Sequence, residues 1–260
     1  MNRSQLNGRA DLHMHTRSSD GKPAVQELLN YVAQHRPELN VIAITDHDAL
    51  DSSLWAYEAQ HRYPFEVVPA LEVSSRAGHV LALWVTTLIP RDMDLNDTVS
   101  AIHEAGGVAI LAHPFHMELD IVRANAPRYW KHPEVLLEAK LDGIETNNSG
   151  GYLPLTRTFA RRLARQLGLA MLGGSDAHTL GAIGRGITRF AGRHASDLRT
   201  AIHTASTQAE GHSWGLWDYP EFLYHMHHWK RQQRQMAIVH SLNGMSDSAE
   251  ALYSPRLSES

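Results

Sequence analysis

Nine residues whose side chains can bind metal ions lie where short apolar segments of the sequence end. Imidazole and carboxylate groups together suit Zn²⁺, Mn²⁺ or iron, and one ion takes only about four protein ligands. The set therefore exceeds what one ion needs, and with a bridging carboxylate it would suit two or three ions. Such an arrangement stabilises both the attacking and the leaving oxygen of a phosphoryl displacement. The residues are His13, His15, Asp20, His47, Glu72, His79, His113, Asp176 and His178.

The spacing of these residues strengthens the interpretation as a single site. Positions i and i+2 of a strand point to the same side, so His13 and His15 can reach one ion together. The turn-like residues 16–21 would bring Asp20 back over the same place. Any one histidine of the set is more often a surface or core residue than a ligand. Several apolar segments that each run into such a residue favour a shared metal site.

Polar neighbours of the nine residues have more than one interpretation. Asp46 and Asp48 flank His47, and they either orient imidazoles or cap turns. Glu145 lies near the end of its own predicted strand, and we expect it beside the site without being a ligand.

Short apolar segments alternate with longer segments of helical period, which predicts strands and helices in turn. The predicted strands are residues 10–16, 41–46, 66–74, 78–85, 108–113, 143–147 and 169–175. The predicted helices are residues 25–36, 54–62, 95–105, 133–141 and 155–167, the last with Gly168 as its stop.

This alternation of strand and helix indicates an α/β fold with a mostly parallel sheet and right-handed crossovers. The candidate ligands fall mainly at the carboxyl ends of the predicted strands, where α/β barrels carry their active sites. An open doubly wound sheet binds ligands at one switch point, so ligands from many strands favour a distorted closed barrel.

The composition excludes several classes of site. The chain has 260 residues and 43% hydrophobic content, enough for one large α/β domain. The net charge of −4 gives no global attraction to nucleic acid or to an anionic membrane. The absence of cysteine excludes disulfides, thiolate zinc sites and a cysteine nucleophile. With no secretory segment and no 18-residue apolar run, we expect a cytoplasmic protein without a membrane partner.

The pattern weakens after residue 192. We expect a barrel core over residues 1–192, a helical extension over 193–242 that packs on the same domain, and a disordered tail over 243–260. The extension comprises a helix at 195–205, an aromatic connection and a basic helix at 220–240. The aromatic residues are Trp214, Trp217 and Tyr219, and the basic helix carries His225, His227 and His228, which we assign to a solvated face.

Five motifs of the chain resemble, in order, those of the PHP (polymerase and histidinol phosphatase) family of metal-dependent phosphoesterases. They are DLHMHTRSSDG, ITDHD, EVS with GHVLAL, AHP and GSDAH, and the resemblance runs from Asp11 to about Phe190. It implies a distorted (β/α)₇ barrel of the TIM type with a trinuclear centre of Mn, Fe or Zn at the carboxyl ends of the strands.

The resemblance also implies a distribution of ligands among the ions. One ion would be held by His13, His15, Glu72 and Asp176, and Glu72 would bridge to a second ion completed by His79 and His113. The third ion would be held by Asp20, His47 and His178. None of the nine ligands is missing, which favours an active enzyme over a degenerate module.

Two features bear on the substrate. Relatives that act on nucleotides or RNA often have a long insertion before the AHP strand, whereas here only helix 95–105 fits there. We therefore expect a small phosphorylated substrate, hydrolysed by a metal-bound hydroxide. The pocket would be formed by the loops at residues 115–132 and 149–154.

Three further residues are candidates for contact with this substrate. Arg185 is a candidate phosphate clamp, because its planar fork matches phosphate oxygens, although a surface arginine in a turn fits as well. His116 and Asn148 follow predicted strand ends and could contact substrate, and His116 could protonate the leaving group as general acid.

Other functions remain compatible with parts of the pattern. An amidohydrolase would use a carbamylated lysine at a strand end, whereas Lys140 precedes its strand. A 5′→3′ exonuclease would need a basic groove with aromatic platforms, which residues 128–131 and the basic helix could supply. A non-enzymatic partner-binding module is the third alternative. The oligomeric state is open.

Overall fold

The structure is a computed structural model that describes residues 6–116, 120–151 and 154–214, together with Pro220, Leu223 and Tyr224. The chain divides into two units, Met1–Tyr219 and Pro220–Ser260. The three described residues of the second unit are helical. The rest of the predicted basic helix with its three histidines, Trp217, Tyr219 and the predicted tail all lie outside the described residues. None of the described helices is long and apolar enough to cross a membrane.

The described part of the first unit contains ten strands and seven α-helices. The strands are β1 (Gly8–Asp11), β2 (Val41–Ala43), β3 (Glu66–Val68), β4 (Ala70–Ser75), β5 (Gly78–Leu83), β6 (Val108–Leu111), β7 (Gly143–Asn148), β8 (Ala170–Gly174), β9 (Gly186–Phe190) and β10 (Gln208–Gly211). The helices are α1 (Val25–His35), α2 (Asp51–Ala59), α3 (Leu95–Glu104), α4 (Asp120–Lys131), α5 (Glu134–Glu138), α6 (Pro154–Leu167) and α7 (Ala195–His203).

Local signals account for several helix ends. The Asp94 side chain accepts a hydrogen bond from the Asp97 backbone N–H and so caps the start of α3. Helix α6 ends before Gly168, whose φ of +67° lies in the left-handed region that favours glycine. Only α3 lies between β5 and β6, as predicted. Residues 115–132 were predicted to be a loop, but helix α4 occupies most of them and contains Pro127.

The strands form two five-stranded sheets, and not a single, mostly parallel closed sheet. Their orders are β10-β9-β1-β2-β3 and β4-β5-β6-β7-β8. Among the described strands, four neighbouring pairs are parallel and four are antiparallel. Part of the difference arises because β4 and β5 are joined by a two-residue turn, which is too short for a parallel crossover. The remainder arises because β9 and β10 were not predicted as strands.

Pro69 divides what the sequence predicts as one strand into β3 and β4. Proline has no backbone N–H to donate, so it interrupts the ladder between neighbouring strands. Strand β2 pairs with β3 in a register that sets Val41 opposite Glu66. The same register returns beyond the interruption as a single bridge between His47 and Glu72. A second bridge, between Met14 and Ala177, joins the chain beyond β1, the central strand of the first sheet, to the chain beyond β8, an edge strand of the second.

Successive side chains along the strands of the second sheet point alternately to its two faces, and a hydrophobic core packs on each face. In β5, Val80 packs in the core that contains residues of α3 to α6, whereas Leu81 packs in the core that contains β1 and β2 residues. The same two-residue period puts Leu71 of β4 in the first core and Ala70 in the second. Glu72 shares the parity of Ala70, so its carboxylate points away from the helices that cover this sheet.

Replacement of Leu172 by alanine tests the core that contains strands of both sheets. Leu172 is 1% exposed, and we expect Leu172→Ala to lower the free energy of unfolding by about 2–5 kcal/mol through cavity formation. Leu88 is 59% exposed, so Leu88→Ala should change it by less than about 0.5 kcal/mol. Urea denaturation followed by circular dichroism measures both. Equal losses in the two variants would contradict this description of the core.

Candidate metal centre

The carboxylate of Glu72 lies at the centre of a buried cluster of imidazoles. Its Oε1 is 3.0 Å from Nδ1 of His79 and 3.1 Å from Nε2 of His113. Its Oε2 lies within 3.1–3.4 Å of three more histidines. These are His13 Nε2 at 3.1 Å, His15 Nε2 at 3.4 Å and His47 Nδ1 at 3.4 Å. One carboxylate therefore contacts five imidazoles from four segments of the chain, because His13 and His15 both follow β1.

Two further carboxylates flank this central group. Asp176 Oδ1 lies 3.3 Å from His15 Nε2 and 3.5 Å from His13 Nε2. Asp20 Oδ1 lies 3.1 Å from His178 Nε2, and Asp20 Oδ2 lies 3.7 Å from His47 Nε2. The structure thus brings all nine candidate ligands predicted from the sequence into one cluster.

The donor atoms form overlapping groups in which all atoms lie within 4.8 Å of one another. The overlap means that neighbouring cation positions would share ligands, as in a polynuclear centre. The groups are His15 with Asp20, His47 and His178; His13 with Glu72 and His113; His13 with His15 and Asp176; and His47 with Glu72 and His79.

Several buried ring nitrogens of the cluster make no hydrogen bond of acceptable geometry with any described residue, although His79 Nδ1 and His15 Nε2 lie 3.0–3.4 Å from carboxylate oxygens. These nitrogens are both ring nitrogens of His15, Nδ1 of His79 and Nδ1 of His113. A buried polar atom left without a partner costs about 1–3 kcal/mol. Cation coordination would satisfy such atoms, so the donor set fits divalent metal ions.

Glu145 orients two members of the cluster. Its Oε1 lies 3.1 Å from Nδ1 of His13, which leaves Nε2 of that ring facing Glu72. Its Oε2 accepts from the backbone N–H of His113 at 3.0 Å and from the Asn148 side chain at 2.8 Å. A carboxylate on the far nitrogen of an imidazole fixes the tautomer and the ring orientation of a metal ligand.

Unusual backbone geometry positions two of the candidate ligands. The strand period would put His113 on the helix-facing side with Ala109 and Leu111, but its φ of 26° ends the extended conformation. Its imidazole can therefore reach Glu72 instead. Asp176 also has a left-handed φ, of 52°. Such conformations cost about 1–3 kcal/mol each in non-glycine residues and persist at functional sites where the surroundings fix them.

Asp46 holds the turn that carries Asp20. Its Oδ1 accepts from the Thr16 backbone N–H and the Ser19 hydroxyl, both at 2.7 Å, and its Oδ2 accepts from the Thr16 hydroxyl at 2.6 Å. In the turn itself, a Cβ on Gly21 would lie 2.3 Å from the His15 backbone, so only glycine fits there. Of the two roles considered for Asp46, the contacts favour turn capping.

The three candidate substrate residues occupy different environments. The ring of His116 stacks on that of His113 with centroids 5.1 Å apart, and the side chain of Asn148 donates to Asp176 Oδ2 at 3.1 Å. Both are buried beside the cluster. Arg185 is half-buried and donates from Nε to the carbonyl of Gly181 at 3.1 Å.

The environment of His116 bears on its predicted role as a general acid. Burial, and then the neighbouring His113, lower the pKa of His116 to about 3. The imidazole is therefore neutral at physiological pH and suits hydrogen bonding to a bound group better than proton donation. Gly151 makes room for this ring, because a Cβ there would lie 2.2 Å from Nε2 of His116.

Two residues near the cluster were not singled out as site residues from the sequence. Trp214 donates from Nε1 to the carbonyl of Ser175 at 2.8 Å, and its ring lies edge-on to His178. Arg157 donates to the carbonyl of Asn148 at 3.3 Å and to the Ser213 hydroxyl at 2.9 Å. Neither residue belongs to a sequence motif that carries a candidate ligand. The sequence therefore contains no signal that Trp214 and Arg157 lie near the cluster.

Opposite charges hold the pKa values of the central groups away from their usual ranges. Burial raises the pKa of Glu72, but the imidazoles of His47 and His13 outweigh burial and hold it well below its usual range. Burial lowers the pKa of His178, but the Asp20 carboxylate outweighs it and raises the pKa to about 9. Cations that bind this cluster must therefore displace protons.

Comparisons with known proteins agree with this fold. A family model described as PHP-associated matches residues 154–207. The chain is 29% identical over 150 residues to an uncharacterized protein of Methanocaldococcus jannaschii, which covers 54% of this chain and 82% of that protein.

Solved structures share the fold at low sequence identity. One is a two-domain protein of Bacteroides vulgatus that contains a predicted PHP-like metal-dependent phosphoesterase, with a TM-score of 0.64 and 21% identity over 78% of this chain and 64% of that one. Another, from Bifidobacterium adolescentis, is assigned as a metal-dependent phosphoesterase, with a TM-score of 0.56 and 17% identity over 74% and 94%. A lesion-specific endonuclease of Pyrococcus furiosus has a TM-score of 0.54 and 15% identity over 78% and 57%.

The fold and the cluster define a mixed α/β protein with a buried centre of metal-binding side chains. The chain is similar to PHP proteins in residues 154–207, which match the PHP-associated model, and it shares its fold with PHP-like structures.

Replacement of Glu145 tests its role in orienting His13. In Glu145→Gln the amide offers one acceptor oxygen where the carboxylate accepts from three groups. We therefore expect the affinity for Mn²⁺ to fall about 10–100-fold. Isothermal titration calorimetry of metal-depleted protein measures the change. Glu138→Gln, on the exposed surface of α5, is the matched control and should bind like the wild type. An unchanged Mn²⁺ affinity in Glu145→Gln would show that Glu145 does not orient His13 for metal binding.

The raised pKa of His178 predicts how metal uptake depends on pH. Below pH 9 the imidazole is protonated and its proton competes with the cation, so affinity should rise from pH 6 to pH 9. The expected slope is about tenfold per pH unit for each proton displaced. Competition of Mn²⁺ with a chelator of known affinity measures it, and His178→Gln should have a shallower slope. A pH-independent affinity would contradict the proposed displacement.

Proposed function

We propose that this chain is a metal-dependent hydrolase of phosphate monoesters. The observation that carries the proposal is the arrangement of nine imidazole and carboxylate donors around the buried Glu72, with no thiolate among them. Oxygen and nitrogen donors of this kind suit Mn, Fe or Zn. The substrate class is a small phosphorylated molecule, such as a nucleotide, a sugar phosphate or a compound like histidinol phosphate.

We propose two to three ions, with the ligand sets that the family resemblance implies. His13, His15, Glu72 and Asp176 would hold one ion, while Glu72, His79 and His113 would hold the second. Asp20, His47 and His178 would hold the third. The overlapping donor groups support such sharing, and they also bring His15 close to the third set. Bound divalent ions would polarise the phosphoryl oxygens and lower the pKa of a coordinated water.

The residues of the chain then have distinct tasks in the reaction. Glu72 directs Oε2 toward His13 and Oε1 toward His113, so its carboxylate would be shared between neighbouring ions. The Asn148 amide fixes Asp176 through Oδ2 and leaves Oδ1 facing His13 and His15. His116, neutral and buried, is placed to hydrogen-bond a substrate group. Arg185 remains our candidate phosphate clamp.

The two sheets support a distorted barrel around this centre. The His47–Glu72 and Met14–Ala177 bridges connect the sheets at two positions. At each bridge, a candidate ligand is a bridge partner or lies next to one. We infer that these bridges are the points where the barrel wall closes.

Hydrolysis of oligonucleotides is the second candidate function. Trp130 and Phe159 are 46% and 39% exposed and lie edge to face, and the Arg162 guanidinium lies over Trp130 at 5.5 Å. Exposed aromatic rings beside arginine are the features that bind single-stranded bases. Phe159 also contacts Phe115, which directly precedes His116. By contrast, Lys140 is exposed in the turn before β7, which disfavours an amidohydrolase with a carbamylated lysine.

The activity of the Mn²⁺-loaded protein tests the proposal. We expect hydrolysis of p-nitrophenyl phosphate, and a fall in kcat/KM of about 10³-fold or more in Glu72→Ala and Asp176→Ala, because both remove shared cation ligands. Glu104→Gln, an exposed change in α3, should keep wild-type rates. Metal content measured on the same samples shows whether lost activity follows lost metal. Activity on bis-p-nitrophenyl phosphate alone would favour the oligonucleotide hydrolase, and near-wild-type rates in Glu72→Ala with metal bound would refute the mechanism.

A further inference from the structure

Helix α6 carries four arginines and no acidic residue. They are Arg157, Arg161, Arg162 and Arg165. Arg157 is engaged with Asn148 and Ser213, and Arg162 lies over Trp130. The side chains of Arg161 and Arg165 have neither a hydrogen bond nor an ion pair with any described residue. Among the described residues, no carboxylate forms an ion pair with Arg161, Arg162 or Arg165, and the guanidinium groups of Arg161 and Arg165 have no acceptor either.

Arg161 and Arg165 are four residues apart and so lie on the same face of the helix. Like charges at this spacing repel each other and destabilise the helix. Arg165 lies in the last turn, where the helix dipole favours a cation. Arg161 lies in the middle of α6, where the dipole offers no such compensation. An anion bound between the two guanidinium groups would relieve this repulsion.

The two arginines line a cavity that is separate from the metal centre. Its volume is about 320 Å³, and its other lining residues are Thr146, Met171, Gln208 and Ala209. None of these residues belongs to the nine candidate ligands. Thr146 follows Glu145 in β7, at the irregularity where the pairing register with β8 shifts between Glu145 and Asn147.

Strand β10 forms one wall of this cavity because it passes close to β8. A Cβ on Gly173 would lie 2.3 Å from the Ile187 carbonyl and 3.2 Å from the Glu210 carbonyl. Glycine at position 173 is thus required for β9 and β10 to lie this close to β8. The wall also contributes the Gln208 side chain, which has both a donor and an acceptor group.

We propose that this cavity, defined by Arg161, Arg165 and Gln208, binds a compact phosphorylated anion independently of the metal centre. The planar fork of N–H donors in a guanidinium group matches the oxygens of a phosphate. A phosphate bound between Arg161 and Arg165 would also offset the repulsion between their positive charges. A cavity of this volume suits a small molecule, and β10 bounds it on one side. Arg161 and Arg165 also line a second cavity of about 440 Å³ with Thr158 and Arg162, and a nucleic-acid strand along this surface is the competing occupant.

The test uses methylenediphosphonate, which has no ester or anhydride bond to hydrolyse, with the Mn²⁺-loaded full-length protein in excess Mg²⁺. Because the metal centre also attracts phosphonates, we expect two classes of binding site in calorimetric titrations. The double variant Arg161→Gln/Arg165→Gln should lose one class, with affinity at least about tenfold weaker. Glu72→Gln, which alters the metal centre, should lose the other class and keep the first.

Controls separate the cavity from general charge effects. Arg62→Gln removes one positive charge from an exposed turn and should keep both classes. Arg161→Lys keeps the charge but loses the fork, so it should bind with intermediate affinity. Circular dichroism should show wild-type folding for the double variant, because Arg165 is exposed and Arg161 only half-buried.

Two results would overturn the proposal. In the first, the wild type has one class of site, which Glu72→Gln abolishes and the double variant leaves unchanged. In the second, a 12-nucleotide oligothymidylate binds more tightly than methylenediphosphonate, with affinity that rises with length and falls in the double variant. The α6 surface would then be a nucleic-acid surface. Neither result depends on whether the protein hydrolyses monoesters, so this test and that of the proposed function can fail separately.

Discussion

The structure depends on how the charge of one buried carboxylate is satisfied. Glu72 lies in the interior, where an isolated ionised group is far too costly to keep. Five imidazoles compensate it, and Asp20 and Asp176 extend the same network of alternating charges. A cluster with this many donors is satisfied either by protons or by cations. The fold is therefore coupled to metal binding through the same atoms that would perform the chemistry.

The backbone meets this requirement at the places where regular structure stops. Several ligand-bearing strands are shorter than predicted, and His13, His47 and Asp176 follow the last residue of β1, β2 and β8 within a few positions. Beyond a strand end the two-residue alternation no longer constrains side-chain direction, and left-handed residues such as His113 can turn inward. Pro69 contributes in another way, because it interrupts the ladder but lets the register resume at Glu72.

Much of this site could be predicted from the sequence, since ligand identity and strand placement are both local signals. The nine residues do gather, and the helices at 95–105 and 195–205 are present as α3 and α7. Strand β9 was missed although its buried positions alternate, and β10 is too short and polar to give a pattern. Helix α4 contains Pro127, which disfavours helix in its interior. The contacts of Glu145 with His13 and His113 could not be predicted, because both partners are remote from it in sequence.

The distance along the chain between interacting groups has a consequence for folding. The contact of His13 with Glu145 joins residues 132 positions apart, and the bond from Ser175 to Asp11 spans 164. Contacts of such high order form late, after most of the chain has been ordered. The nine metal-binding side chains are therefore brought together only in the native state or in states close to it. Metal ions would consequently stabilise the native state without favouring partly folded intermediates, and their effect should appear mainly as slower unfolding.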